Sequence, residues 1–244
     1  MKTNNLATKF LGLAMLGGAL AVMPAKADLL SFTASYPAPL GTFQIPDWSS
    51  TLTLPKFNPA LGTLNSITFR MTGTVQGSAQ SENTSPSSGA DVTLNLSASL
   101  QLFRPGGTDI ANRLVVSTPS EIRTFSAGTY DGVTDFAGSS GVTFSGLSNS
   151  KVNSAVYTSD ADKALFTGLG TINLPITALG KSRATGGGSA ISVFDTQARG
   201  DVTVTYNYGS VPPPVPEPRV YGAFGVLVCA GLAALRRRQA AKKS

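Results

Sequence analysis

The sequence predicts an all-β fold: an antiparallel β-sandwich between a cleavable N-terminal signal helix and a single C-terminal transmembrane helix. Three observations predict it. Apolar and polar residues alternate with period two through the middle of the chain. An apolar run near the N-terminus closes on small residues. A second apolar run near the C-terminus closes on three arginines.

Residues 1–27 read as a secretory signal peptide. Lys2 and Lys9 make a basic start, Phe10 to Val22 is apolar, and Ala25-Lys26-Ala27 supplies an A-x-A cleavage site before Asp28. An uncleaved anchor helix is the alternative. The shortness of the run and the small residues at its end favour cleavage. Signal peptidase and the Sec translocon are the partners this segment implies.

Residues 28–209 read as one exported β-domain. The clearest alternation sets Val92, Leu94, Leu96, Ala98, Leu100 and Leu102 against Thr93, Asn95, Ser97, Ser99 and Gln101. One face is apolar and the other takes water, as in a half-buried antiparallel strand. Ile67, Phe69, Met71 and Val75 repeat the pattern, as do Val202, Val204, Tyr206 and Tyr208. Shorter strands are predicted over Leu30 to Tyr36, Ser50 to Leu54, Leu114 to Ser117, Gly141 to Phe144, Ala155 to Thr158 and Ser189 to Phe194. Clusters such as Arg104-Pro105-Gly106-Gly107 and Gly186-Gly187-Gly188 break them with turns. Ala161 to Phe166 reads as a short helical turn, and Ser81 to Ala90 as an exposed loop. Many short strands without a long amphipathic helix indicate a sandwich, and a closed barrel is the alternative. Phe57, Phe69, Phe103, Phe125, Phe136, Phe144 and Phe166 are the expected large core members.

Residues 210–219 form a spacer. Pro212-Pro213-Pro214 favours extended, stiff backbone, and Pro216-Glu217-Pro218 follows. Residues 220–235 are mostly apolar. Sixteen helical residues span roughly 24 Å, against about 30 Å of hydrocarbon. Local thinning and snorkelling of Arg236, Arg237 and Arg238 make up the difference. The tail 236–244 carries those arginines with Lys242 and Lys243, which favours the cytoplasmic side. A buried core helix is the competing reading, which three consecutive arginines disfavour.

The formal charge of +6 belongs to the ends. Residues 28–216 carry ten Lys or Arg against twelve Asp or Glu, a net −2. That leaves no basic surplus for binding nucleic acid by counterion release. Histidine is absent, and the one cysteine, Cys229, lies in the C-terminal apolar run. The exported domain therefore has no disulfide, no ordinary zinc or iron–sulfur site, and neither a Cys-His nor a Ser-His-Asp catalytic set.

Other candidates for chemistry are weak. Ser148-Asn149-Ser150-Lys151 fits S-x-x-K by letters, but the stretch reads as a loop and lacks the companion motifs. Gly186-Gly187-Gly188-Ser189 lacks the Lys-Ser or Lys-Thr of a phosphate loop. Asp131 with Asp135, and Asp160 with Asp162, read first as solvated turn residues, with a calcium site or a glycosidase pair as alternatives. Tyr36, Trp48, Tyr157, Tyr206 and Tyr208 read first as packing, with sugar stacking as the alternative. Thr51-Leu52-Thr53 and Thr203-Val204-Thr205 stand as isolated pairs, too few for a surface-adhesion ladder. No catalytic residue, metal ligand or cofactor is expected.

The C-terminal residues resemble the PEP-CTERM sorting signal. Its parts here are Val215-Pro216-Glu217-Pro218, the Gly222 to Leu235 run, and Arg236 to Arg238. Arg219 departs from the family, which usually has a small or hydroxyl residue there. The resemblance covers about thirty residues. It implies recognition by an exosortase, a membrane-embedded processing enzyme of Gram-negative bacteria that make exopolysaccharide. Two further stretches resemble the choice-of-anchor E domain: Leu54-Pro55-Lys56-Phe57-Asn58-Pro59 running into Leu61-Gly62-Thr63-Leu64, and Asp135-Phe136-Ala137-Gly138-Ser139-Ser140-Gly141. Members of that family are exported β-rich domains, and the resemblance implies no established activity.

The expectation is a non-enzymatic protein exported across the inner membrane and held there transiently by its tail. An exosortase-like enzyme then releases it to the cell surface or matrix. Carbohydrate binding, exopolysaccharide above all, is the alternative, and a carboxylate-dependent hydrolase is a more distant one.

Overall fold

The computed structural model describes residues 27–186 and 188–210. Ala25, Pro216, Glu217, Pro218, the apolar run 220–235 and Arg236 to Arg238 lie outside the described residues. Among the described residues ten strands run in the order β1 (Ala27–Tyr36), β2 (Trp48–Pro55), β3 (Gly62–Asn83), β4 (Ala90–Phe103), β5 (Arg113–Ser117), β6 (Ser120–Ala127), β7 (Gly141–Tyr157), β8 (Thr171–Gly180), β9 (Arg183–Thr185) and β10 (Ala190–Ser210). Among the described residues one short α-helix, α1 (Asp160–Phe166), sits between β7 and β8, and a single 3-10 turn covers Pro59–Leu61. Among the described residues, no helix is long and apolar enough to cross a membrane.

The strands form two sheets, with every strand pairing antiparallel. The first has the order β1-β10-β3-β7. The second has the order β2-β8-β4-β5, with β6 and β9 also paired to β4. The inward residues of both sheets meet in one core. Ile67, Phe69, Met71 and Val75 of β3 and Val202, Val204 and Tyr206 of β10 pack in the same cluster as Leu52, Leu54, Leu100, Leu102, Leu174 and Ile176 of the second sheet. Each such side chain contributes about 1.5–3 kcal/mol by leaving water. A smaller cluster of Ala79, Val92, Leu94, Leu96 and Leu147 continues the core beyond it. The alternation of β4 therefore serves two adjoining clusters along one strand.

Local sequence explains α1. Ser159 caps it, its Oγ accepting from the Asp162 amide at 3.1 Å. Asp160 and Asp162 lie in the first turn, where the helix dipole favours carboxylates.

Several expectations need correction. Two predicted pairs of strands are single long ones: Gly141 to Phe144 joins the Ala155 to Thr158 stretch within β7, which ends at Tyr157, and the Ser189 to Phe194 stretch joins 202–208 within β10, which begins at Ala190. The polar stretch between the β7 pieces hid the strand, because β7 is an edge strand with most side chains in water. Ser148 to Lys151 accordingly lies in β7 and not in a loop. β6, β8 and β9 were not foreseen. The exposed loop expected at 81–90 begins only after β3 ends at Asn83, and Ser81, Glu82 and Asn83 are buried. Of the seven expected core phenylalanines, Phe57, Phe69, Phe103 and Phe166 are buried, whereas Phe125, Phe136 and Phe144 are half-buried.

The first and last strands lie side by side, with Ala27 opposite Gly209 and Asp28 opposite Tyr208. The chain therefore enters and leaves the two-sheet body at one end of the first sheet.

Candidate functional site

A groove forms where β4 changes partners on both flanks at one level. On one flank β6 pairs with 90–97 and β5 with 100–103. On the other, β9 pairs with 93–95 and β8 with 98–102. Pro119 falls in the first break and has no N–H to carry a ladder through it. Its carbonyl accepts from the Ala98 amide at 3.3 Å instead. In the second break, the Lys181 amide donates to the Ser97 carbonyl at 2.9 Å, and Ser182 Oγ accepts from the Ser97 amide at 3.0 Å. Ser182 Oγ also bonds Thr196 Oγ1 at 2.7 Å. These bonds use the main-chain groups of Ser97 and the Ala98 amide, leaving side chains to face the groove.

The groove has a volume of about 370 Å³. Asn95 and Ser97 of β4 lie between Thr118 and Ser120 on one side and Lys181 and Arg183 on the other, and Lys151 of β7 also lines it. Lys151 Nζ donates to Thr118 Oγ1 at 3.3 Å. Ser120 Oγ donates to Asn95 Oδ1 at 2.7 Å.

Three cations thus share a groove lined by no carboxylate. Among the described residues, none of the three forms an ion pair. The nearest acid in sequence, Glu121, pairs with Arg123 and accepts from Asn149 Nδ2 at 3.0 Å. Asp47 Oδ1 accepts from the Gly180 amide at 3.0 Å. The arrangement can hold an anion, with hydroxyl and amide groups beside it to meet neutral polar atoms. Sequence reasoning missed it. Lys181 and Arg183 form a visible Lys-x-Arg step, but Lys151 and Asn95 join them only through the strand order.

The residues singled out from sequence are mostly engaged elsewhere. Asp131 Oδ1 accepts from the Val133 amide and Asp135 Oδ1 from the Ala137 amide, both at 3.0 Å, so each shapes its own turn. Asp160 pairs with Lys163 at 2.8 Å. Asp162 pairs with Arg104 Nε at 2.7 Å, and this bond, more than its bond from Ser159 Oγ, holds the Asp162 carboxyl below the usual carboxylate range. Among the described residues, no group of three or more His, Cys, Asp or Glu is placed to hold a metal ion.

Ser148 and Lys151 do not make a helical pair. They stand three apart on β7, opposite Gln76 and Gly73, where odd spacing turns side chains to opposite faces.

The aromatics are packed. Trp48 is buried with its ring 4.7 Å from that of Tyr36. Tyr206 is fully buried and donates to the Pro55 carbonyl at 2.8 Å. Tyr208 lies 5.1 Å from Phe57, and Tyr157 lies 6.0 Å from Phe69 while donating to the Leu114 carbonyl. The hydroxyls of Thr203 and Thr205 bond those of Thr33 at 2.9 Å and Ser31 at 2.8 Å across β1 and β10.

A second unforeseen feature sits under the Asp135 to Gly141 stretch. Glu82 is fully buried there, and its Oε2 accepts from the Phe136 amide at 2.8 Å. Its Oε1 and the neighbouring loop's Ser140 Oγ are buried without a hydrogen-bond partner. Asn83 closes the base of the loop, its Nδ2 donating to the carbonyls of Ser88 and Gly128 at 2.8 and 2.7 Å.

No protein-family profile matches the chain, and no curated protein matches it. Among solved structures it is similar to that of the infectious bursal disease virus Gx strain, at 13% identity and a TM-score of 0.20, over 84% of this chain and 48% of that one. The Gt strain structure gives 11% identity and a TM-score of 0.16 over 91% and 54%. The T=1 particles derived from infectious bursal virus give 12% and 0.16 over 84% and 46%. The chain spans about half the length of these viral chains. Scores this low carry no argument about fold or activity.

Proposed function

We propose that this chain is an exported, non-enzymatic surface or extracellular-matrix protein of a Gram-negative bacterium, sorted through its C-terminal tail. Residues 1–27 direct it through the Sec translocon, and signal peptidase cuts between Ala27 and Asp28. The helix 220–235 holds it in the inner membrane, with Arg236, Arg237 and Arg238 on the cytoplasmic side. An exosortase-like enzyme recognises Pro216-Glu217-Pro218 and cuts near it, releasing the domain. Arg219 sits at headgroup depth in this arrangement.

The observation that carries this reading is the paired signals around a His-free, Cys-free β-domain. The adjacency of Asp28 and Tyr208, the first pair of strand residues left after that cut, supports it. A domain whose ends leave together can be tethered at one end while the rest stays clear of the bilayer.

Intact mass and cell location test the reading, measured in the native host with and without the exosortase. The expected product begins at Asp28, lacks 220–244 and lies outside the cell only when the exosortase is present. A mature surface protein that keeps Val220 to Ser244 overturns the processing step.

A further inference from the structure

We propose that the groove across β4 binds an acidic polysaccharide, a carboxylate-bearing glycan chain, through Lys151, Lys181 and Arg183. The inference goes beyond export and sorting, and it does not depend on how the tail is processed.

Four observations converge on this ligand. First, three cations line one open groove without a carboxylate among its lining residues, and none of them is ion-paired among the described residues. Like charges gathered this way repel one another, and an anion relieves that repulsion. Second, the domain as a whole is slightly acidic, at net −2 over residues 28–216. The basic character is therefore local to the groove and is not a general stickiness for polyanions.

Third, the groups between the cations are hydroxyls and an amide: Ser97, Thr118, Ser120 and Asn95. Such groups both donate and accept, which matches the alternating hydroxyls and ring oxygens of a sugar. No aromatic ring lines the groove, so it offers no platform for nucleic-acid bases. Fourth, the amides of Ser97, Ala98 and Lys181 are already bonded within the fold. A peptide adding itself as a strand would find those three main-chain donors taken. A glycan does not need a row of main-chain donors, because side-chain hydroxyls, amides and cations can meet its polar atoms.

The division of labour follows from the chemistry. Arg183 can clamp a carboxylate with two parallel N–H bonds, and Lys151 and Lys181 act as point charges on flexible stems. Thr118 already accepts from Lys151, which draws that ammonium toward the β5–β6 connection.

The test uses the full chain in neutral detergent, with polygalacturonate as the probe, read by isothermal titration calorimetry and affinity electrophoresis. The double variant Lys181→Ala/Arg183→Ala is expected to weaken polygalacturonate binding at least tenfold. Lys163→Ala, at a lysine paired to Asp160 away from the groove, is expected to leave it unchanged. Because Arg236, Arg237 and Arg238 can attract polyanions themselves, both variants are also made with those three changed to Gln. The tenfold difference is expected to persist in that background.

Dextran, a neutral glycan, is expected not to bind, and a single-stranded oligonucleotide is expected to bind more weakly than polygalacturonate. Lys181→Glu, which keeps a long side chain, guards against a folding effect and is expected to reduce binding further, with an unchanged thermal midpoint. Absence of polygalacturonate binding overturns the proposal. So does binding insensitive to Lys181 and Arg183, and so does tighter binding of the oligonucleotide.

Discussion

Gly73 and Gly200 face one another across β3 and β10, and the Leu100 side chain fills the space their missing Cβ atoms leave. A Cβ on Gly73 would lie 3.0 Å from Leu100 Cδ1 and 2.7 Å from Ser117 Oγ, and one on Gly200 would lie 3.2 Å from Leu100 Cδ2. The paired glycines let the two sheets approach where Leu100 sits. Ser117 is pinned as well, accepting from the Gly73 amide at 3.3 Å and donating to the Lys151 carbonyl at 2.6 Å. Gly73→Ala is therefore expected to overpack the core and destabilise the fold by about 1–3 kcal/mol. Urea unfolding of both proteins measures it, and an unchanged midpoint refutes the packing argument.

Gly141 carries a sharper constraint. A Cβ there would lie 2.2 Å from Glu82 Oε2 and 2.4 Å from the Ala137 nitrogen, so the buried carboxylate occupies the side-chain space of residue 141. Gly141→Ala is expected to expel Glu82 from its bond to the Phe136 amide and to cost about 2 kcal/mol or more. Hydrogen exchange at Phe136 gives the local readout. Faster exchange there, with β1 unaffected, is the expected pattern.

Tyr206 ties the end of β2 to β10 through the Pro55 carbonyl. Tyr206→Phe leaves that carbonyl without its side-chain donor and is expected to cost about 1–3 kcal/mol. Burial also pushes the Tyr206 hydroxyl well above the ordinary tyrosine range. An unfolded tyrosine loses its proton near pH 10 and the folded one keeps it. The stabilisation is thus complete below about pH 10 and is lost as pH rises further, because only the unfolded state gains from ionising. Thermal midpoints between pH 9 and 11 are expected to fall more steeply for the wild type than for Tyr206→Phe.

Asp162 gives the opposite dependence. Its hydrogen bond to Arg104 holds its carboxyl low, and Arg104 itself lies 4.8 Å over the Tyr157 ring. The stabilisation is present above the ordinary carboxylate range near pH 4 and is lost as pH falls through the lowered folded value. Asp162→Asn is expected to cost on the order of 1 kcal/mol at neutral pH, the pair being partly open to water. The variant is also expected to show a shallower acid decline. Denaturation midpoints from pH 6 down to pH 2 check both.

Particular residues show where the sequence was legible. The strands β3, β4 and the second half of β10 announce themselves because one face of each is buried, which writes apolar residues at every second position. The short helical turn expected over Ala161 to Phe166 is α1, and the Ser159 cap that starts it comes from the structure. β7 is hidden because an edge strand facing water on both sides of much of its length has no alternation to show. Glu82 is hidden for another reason. It is one charged letter in a polar run, and only the loop 135–140 folding over β3 buries it.

The sequence by itself determined the all-β character of the domain, the turn-forming role of Asp131 and Asp135, and the lack of thiol and imidazole chemistry, since each depends on composition or on neighbours along the chain. Only the tertiary structure decided the strand order, the pairing of Gly73 with Gly200, and the meeting of Lys151 with Lys181 and Arg183 across β4. Those relations join residues tens to more than a hundred positions apart. Period-two alternation states which face of a strand is apolar but not which strand lies beside it. The partner is chosen by core packing and hydrogen-bond closure over the whole chain, and the groove exists because β4 exchanges partners on both flanks at the same level.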